Sequence, residues 1–113
     1  MSRYLYHMAR RAEWLAAEAA GSYPGSADDR RDGFIHFSTA DQVVESAARH
    51  RAGESDILLI VVAEDGTGPW RWEPARSGDL FPHLYGALPL KAVVGVHELP
   101  LGGDGRHVFP PLA

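Results

Sequence analysis

Histidine is the side chain best suited to proton transfer near neutral pH, and this sequence places three of its six histidines in unusual surroundings. His7, His36 and His83 each lie inside an apolar or aromatic segment flanked by strand-forming residues. A buried polar ring is costly unless it is hydrogen-bonded or faces a wet cleft. Two interpretations stay open: three unrelated structural imidazoles bonded to backbone, or a cleft shared by at least two of them. We expect the shared cleft.

Ser38 follows His36 by two residues, so the two side chains share one face of a predicted strand. The local sequence H-F-S-T is not the G-x-S-x-G turn that activates a serine nucleophile. We therefore expect Ser38 to bind or orient a ligand; the alternative is a helix cap that competes with Thr39.

Glu73 is the carboxylate most suggestive of chemistry. Trp70 and Trp72 alternate with Arg71 and Glu73, which puts the two tryptophans on one face of a strand. Nearby aromatic rings predict a raised pKa for the carboxyl group. The alternative is an exposed carboxylate paired with Arg71 or Arg76.

Residues 81–86, F-P-H-L-Y-G, are more aromatic and more rigid than a loop without a binding or packing role would be. We expect them to form a pocket wall in which Tyr85 stacks on a ligand and Gly86 permits close backbone approach. A hydrophobic lid over the core is the alternative. Three histidines plus water can hold catalytic zinc, but H-E-x-x-H spacing does not occur, so no metal is expected.

Length, charge and cysteine content limit the functional classes to which this protein can belong. The 113 residues suit one domain, 1–113, and the net charge of −4 disfavours nucleic-acid binding. Cysteine is absent, which excludes disulfides and thiolate chemistry. Glu13 and Glu18 interrupt the Ala-rich stretch after Arg10, and no segment approaches the ~20 apolar residues of a membrane span. We expect a cytoplasmic protein with a small-molecule partner and no membrane association.

The elements that must position these residues follow from periodicity and turn signals. Strands are predicted at residues 3–8, 33–38, 56–63, 70–73 and 92–99. Helices are predicted at residues 10–20 and from the cap Thr39 to about His50. The segments 22–32 and 76–90 are predicted to be loops.

The buried faces of these elements are also predicted. The first helix should bury Trp14, Leu15 and Ala17, and the second should bury a stripe of four small apolar residues: Val43, Val44, Ala47 and Ala48. The continuous apolar run 57–62 indicates a central strand covered on both sides. Early helices followed mainly by strands predict an α+β fold with two N-terminal helices.

These segments together resemble the bacterial family known as domain of unknown function 952, over nearly the whole chain to about Leu99. The matching residues are Tyr6-His7, Trp14, Gly21, Tyr23, G-F-I-H-F-S-T at 33–39, Gln42, Trp72-Glu73 and F-P-H-L-Y-G-A-L at 81–88. The resemblance implies an ADP-ribosyltransferase-like fold: a small, split, mainly antiparallel sheet whose cleft holds NAD.

By that resemblance, His7 would contact the adenosine ribose, His36 or Ser38 would lie near the nicotinamide ribose, and Tyr85 would stack on the nicotinamide. Glu73 would orient the ribose hydroxyl. The chain departs from well-marked transferases: it is very short, lacks an R…S-T-S…E-x-E pattern and has no evident loop for a protein substrate.

Two hypotheses follow. The first is an NAD-dependent ADP-ribosyltransferase or NAD glycohydrolase in which His36 and Glu73 are catalytic. His7, Ser38, His83 and Tyr85 would bind the ligand. The second is a non-catalytic module that binds a nucleotide or another small ligand. Other hydrolytic chemistry on the histidines and a plain interaction domain stay open as well.

Overall fold

The computed structural model describes residues 3–112, which form three small antiparallel sheets and three α-helices. The strands are β1 Tyr4–Arg10, β2 Ser22–Tyr23, β3 Ile35–His36, β4 Ile57–Ala63, β5 Trp70–Pro74, β6 Leu80–Leu84, β7 Leu88–Pro89 and β8 Val93–Glu98. The helices are α1 Arg11–Ala20, α2 Ala27–Asp32 and α3 Ala40–His50. Within the described residues, none of these helices is long and apolar enough to cross a membrane.

The predicted central strand is confirmed as β4, which lies between β1 and β8 in the first sheet. Its residues alternate between two core clusters, so both faces are covered. Ile60 faces the cluster that contains Trp14, Phe37 and Leu84. Leu59 faces the opposite cluster, which also contains Val43 of α3. This strand therefore holds the two halves of the core together.

The third sheet, in the order β3-β6-β5, positions the histidines. His36 pairs with His83, and His83 pairs on its other side with Arg71. Directly opposed residues of antiparallel strands point to the same face. Ile35 and Leu84 therefore point into the core, where both are fully buried, and the imidazoles point outward.

The predicted helices exist, but each buries a narrower stripe than expected. Thr39 begins α3 as predicted, with its backbone N–H donating to Oε1 of Gln42 at 3.0 Å. The predicted burial of Leu15 and Val44 is wrong: 55% and 51% of their surfaces are exposed. A stripe of buried residues spaced three or four positions apart, such as Val43 and Ala47 in α3, suffices to cover the sheet.

The prediction of only two N-terminal helices and a loop over residues 22–32 is wrong, because this segment contains β2 and α2. Ser26 caps α2, and Asp29 at the third helical position completes a reciprocal capping box. Asp28 in the first turn and Arg31 in the last turn both complement the helix dipole. A six-residue helix is too short to show apolar periodicity, which explains the error.

The predicted loop over residues 76–90 is also wrong, because it contains β6 and β7. Pro82 obscures β6 in the sequence because proline cannot donate a ladder hydrogen bond. In the structure its carbonyl oxygen accepts a hydrogen bond from the backbone N–H of Phe37 at 3.0 Å. The F-P-H-L segment is therefore the middle strand of the sheet that carries the site.

Candidate functional site

The outer face of the third sheet brings two of the predicted histidines together. The rings of His36 and His83 lie 5.3 Å apart between centroids, edge to face. Phe34 stacks on His83 at 4.0 Å and contacts His36 at 4.6 Å. The two imidazoles thus share one exposed surface, with an aromatic wall beside them.

Asp29 fixes the orientation of His36. Its Oδ1 accepts hydrogen bonds from Nδ1 of His36 at 2.5 Å and from the backbone N–H of the same residue at 3.2 Å. Its Oδ2 accepts from the backbone N–H of Ser26 at 2.8 Å. Oδ2 of Asp32 lies 3.3 Å from Nε2 of His36, so both ring nitrogens face a carboxylate.

Asp29 is ionised at neutral pH although it is only 3% exposed. Burial by itself raises the pKa of this carboxyl group. The hydrogen bonds from His36 and from the backbone of Ser26 outweigh burial and lower the pKa to about 2. The site therefore contains a permanent, buried negative charge beneath an exposed imidazole.

His7 lies below this surface rather than on it. It is 4% exposed, its Nδ1 donates to the carbonyl oxygen of His36 at 2.6 Å, and its Nε2 accepts from the Tyr23 hydroxyl at 2.8 Å. Burial lowers the pKa of His7 and raises that of Tyr23. The ring is therefore neutral, protonated on Nδ1, and it holds the strand that carries His36.

Glu73 forms the second carboxylate–imidazole pair. Its Oε1 accepts from Nδ1 of His83 at 2.7 Å and from the hydroxyl of Tyr85 at 2.8 Å. These hydrogen bonds, that of His83 first, lower the pKa of Glu73, and the bond to Glu73 raises the pKa of Tyr85. The predicted raised pKa of Glu73 is wrong, because the sequence did not reveal its two donors. The guanidinium of Arg71 lies 4.5 Å from the centre of the Tyr85 ring.

Ser38 lies in the groove wall with little solvent contact. It is 6% exposed, and its backbone N–H and C=O pair with those of Tyr6. Its hydroxyl donates to that of Ser46 at 3.4 Å. The structure places Ser38 near the site without an imidazole as a hydrogen-bond partner.

A groove of about 1210 Å³ runs between α2 and α3 and reaches the outer sheet face. Its lining includes His7, Ser38, Asp29, Arg51, His36 and His83. Small-molecule sites are typically about 300–1000 Å³, so the groove is at least as large as a typical site for a small ligand. Within residues 3–112, no three His, Asp or Glu side chains are grouped so that they could hold a metal ion.

Comparison with known proteins assigns the chain to a family. Residues 8–96 match the family model described as a protein of unknown function, DUF952. The chain belongs to the DUF952 family. None of the functionally curated proteins matches this member.

The fold of this DUF952 protein is similar to that of a protein whose structure has been solved by crystallography and by NMR. The crystal structure of protein CC0527 from Caulobacter crescentus shares 40% identity and superimposes with a TM-score of 0.87, with 93% of each chain covered. The solution structure of the same protein gives a TM-score of 0.82, with 91% of this chain and 90% of that chain covered. The fold described above is thus shared with CC0527.

Sequence reasoning missed Asp29 and Asp32 as members of the site in this DUF952 protein. The pattern of Ser26 followed three residues later by Asp29 is a capping-box signal that could have revealed α2. No pattern in the sequence indicates that Asp29 reaches His36, because that contact depends on how α2 turns into β3.

Proposed function

We propose that this DUF952 protein binds NAD or ADP-ribose, and that it breaks the bond between nicotinamide and the terminal ribose of NAD, with hydrolysis or transfer of the ADP-ribose group. One observation carries the proposal: three carboxylates face two imidazoles on the outer face of one sheet, with Asp29 buried beneath the exposed ring of His36. Asp29 and Asp32 face His36, and Glu73 binds His83.

The charge of this surface selects the kind of reaction. Departure of a group from ribose develops an oxocarbenium-like cation, which nearby carboxylates stabilise. Phosphoryl transfer instead spreads negative charge over the phosphoryl oxygens and requires cationic partners. Asp29 and Glu73, with lowered pKa values, therefore favour glycosyl chemistry over phosphoryl chemistry.

The groove and the sheet face beside it supply contacts for the rest of the nucleotide. Arg49 and Arg51 line the α3 side of the groove and would neutralise a pyrophosphate. Outside the groove lining, Phe34, which stacks on His83, and Tyr85 offer flat rings for the nicotinamide, 5.3 Å apart between centroids. In this proposal, Ser38 lines the part of the groove that contacts the ribose.

An ADP-ribosyltransferase-like arrangement of the fold is part of the same proposal. It is supported by the antiparallel sheets and by a groove that runs beside the first strand. His7 would then act indirectly, by fixing the backbone of His36, since both its nitrogens are engaged within the protein. A cytoplasmic location, where NAD is available, belongs to the proposal as well.

A non-catalytic nucleotide-binding module is the second candidate. The observation that favours it is the 3.3 Å approach of Asp32 to Nε2 of His36, since that nitrogen would otherwise be available for chemistry. In this case the groove would bind ADP-ribose without turning it over.

The test separates binding from turnover. Isothermal titration with ADP-ribose, NAD and nicotinamide measures binding, with inorganic phosphate and ATP as comparison ligands. A ligand at one hundred times its Kd stabilises the fold by about 2.7 kcal/mol, so a parallel thermal melt should show a rise of several degrees. Chromatography of NAD incubated with the protein measures the release of nicotinamide.

Glu73→Gln is the informative variant, because it removes the charge and keeps the shape. We expect it to bind ADP-ribose as the wild type does and to lose turnover. Glu18→Gln, on the exposed face of α1, is the matched control and should change neither. Binding without turnover in the wild type would establish the module instead, and absence of ADP-ribose and NAD binding would overturn the proposal.

A further inference from the structure

The site has more capacity for proton transfer than cleavage of NAD requires. Nicotinamide leaves a pyridinium ribosyl bond as a neutral molecule and needs no proton, so one ionised carboxylate would suffice at the leaving side. The outer sheet face instead carries two imidazoles, His36 and His83, each oriented through Nδ1 by its own carboxylate. A leaving group that must be protonated would use this second imidazole.

We infer that the substrate class of this site is ADP-ribose joined to a hydroxyl group, and that the site hydrolyses this ribosyl–oxygen bond with His36 as the acid and His83 as the base. The inference rests on the proposed function and specifies it, since it names the bond that is broken.

His36 is placed to act as the proton donor. A carboxylate faces each of its nitrogens, Asp29 at 2.5 Å and Asp32 at 3.3 Å, so the ring can hold a proton on both. Its side chain is 44% exposed, which lets a substrate reach it from the groove. Asp32 is itself partly exposed and can yield its place at Nε2 to the leaving oxygen.

His83 is placed to act as the base. Its Nδ1 donates to Glu73 at 2.7 Å, which leaves Nε2 as the nitrogen that can accept a proton. Phe34 stacks on the ring at 4.0 Å and fixes its plane. The rings of His83 and His36 are in edge-to-face contact, 5.3 Å apart between centroids, so both approach a bound substrate from the same side. The groups that face the two rings are Asp29, Asp32, Glu73, Tyr85 and Arg71.

The step balances with water as the only co-reactant. The bond from the anomeric carbon of the ribose to the leaving oxygen breaks first, as Nε2 of His36 gives its proton to that oxygen, and an oxocarbenium-like cation is left. A water oxygen then forms a bond to the anomeric carbon from the same side, and Nε2 of His83 takes the proton that this water loses. The products are free ADP-ribose and the alcohol, and solvent returns the two rings to their starting states.

Three substrates that differ only in the leaving group test the inference. They are a peptide with ADP-ribose on a serine hydroxyl, ADP-ribose joined to 4-nitrophenol, and NAD. Alkoxide requires a proton to depart, whereas 4-nitrophenolate and nicotinamide do not. General acid catalysis contributes about 10²–10⁴ in rate, so its loss should show mainly on the serine-linked substrate.

His36→Asn and His83→Asn are the variants of choice, because an asparagine amide can still donate to the carboxylate that Nδ1 contacts. We expect His36→Asn to cleave the serine-linked substrate at least about 100-fold more slowly and to slow the other two by a much smaller factor, since only the alkoxide needs the proton. His83→Asn should slow all three. His97→Asn, on an exposed position of β8, is the control. Thermal melts of each variant verify that the fold is retained.

The outcomes distinguish the inference from the proposed function. Cleavage of NAD without cleavage of the serine-linked substrate overturns the inference alone. An equal loss on all three substrates in His36→Asn also overturns it, since the ring would then not act at the leaving group. If the wild type cleaves none of the three, both the inference and the enzymatic proposal fail. If His36→Asn does not fold, Asp32→Asn replaces it as the test. Because a general acid must be protonated to act, the variant should shift the alkaline limb of the pH–rate profile for the serine-linked substrate only, and an unshifted limb overturns the inference.

Discussion

His7 donates its Nδ1 hydrogen to the carbonyl oxygen of His36 at 2.6 Å, so a buried imidazole fixes the backbone of an exposed one. Through Tyr23, the same buried ring also joins β1 to β2. Three strands that are distant in sequence therefore meet at one neutral ring, directly below the candidate site. The position of His36 depends on that ring as much as on its own strand.

We expect His7→Phe to destabilise the protein by roughly 2–5 kcal/mol, because the carbonyl oxygen of His36 and the hydroxyl of Tyr23 lose their partners in a buried place. Tyr23→Phe should cost less, since it leaves only Nε2 of His7 unpaired. Urea unfolding at neutral pH measures both. His97→Ala is the control at an exposed site. A His7→Phe variant as stable as the control would contradict the structural role assigned to this ring.

The free energy of unfolding should fall in two steps as the pH is lowered from neutral. Burial lowers the pKa of His7 below its ordinary 6.5, so the unfolded chain takes up a proton that the folded protein resists, and stability falls as the pH drops below about 6.5. Asp29 has a pKa of about 2 against 3.8 when unperturbed, so its contribution is present above about pH 4 and is lost as the pH falls toward 2. That second step corresponds to about 2 kcal/mol.

Urea unfolding from about pH 8 down to about pH 2 measures both steps. His7→Phe should abolish the first step and keep the second. Asp29→Asn should shrink the second step to the part that other carboxylates with lowered pKa values, such as Glu73, contribute, whereas Asp28→Asn, at the exposed neighbouring position, should keep both steps in full. A second step of undiminished size in Asp29→Asn would assign it to another carboxyl group.

Gly25 sets the position of Asp29. It has a φ of +96°, and a Cβ there would lie 2.6 Å from Cβ of Asp29 and 3.2 Å from Cγ1 of Ile35. Gly33 has a similar φ of +89° but open space around it. Gly33→Ala should therefore cost only the left-handed strain of about 1–2 kcal/mol. Gly25→Ala should cost more and shift the His36 resonances in a nitrogen–proton correlation spectrum. Equal costs for the two variants, with unmoved His36 signals, would refute this role of Gly25.

The fold could be predicted where a physical signal is local. The apolar run of β4 and the Thr39–Gln42 cap of α3 are such signals, and both are confirmed. The contact of Asp29 with His36 could not be predicted, because it arises from a six-residue helix and a tight turn. The two donors to Glu73 were hidden for a different reason: His83 lies in β6 and Tyr85 directly follows it, and Pro82 obscured the pattern of that strand.

The lowered pKa of Glu73 should depend on its two donors. Tyr85→Phe removes one of them, so we expect the pKa of Glu73 to rise toward its ordinary value while the hydrogen bond from His83 still holds it below. Carbon-detected NMR titration of the carboxyl groups measures the change residue by residue. Tyr4→Phe, at an exposed position of β1, is the matched control and should leave Glu73 unmoved. A Glu73 titration unaltered in Tyr85→Phe would mean that the tyrosine hydroxyl does not bind the carboxylate in solution.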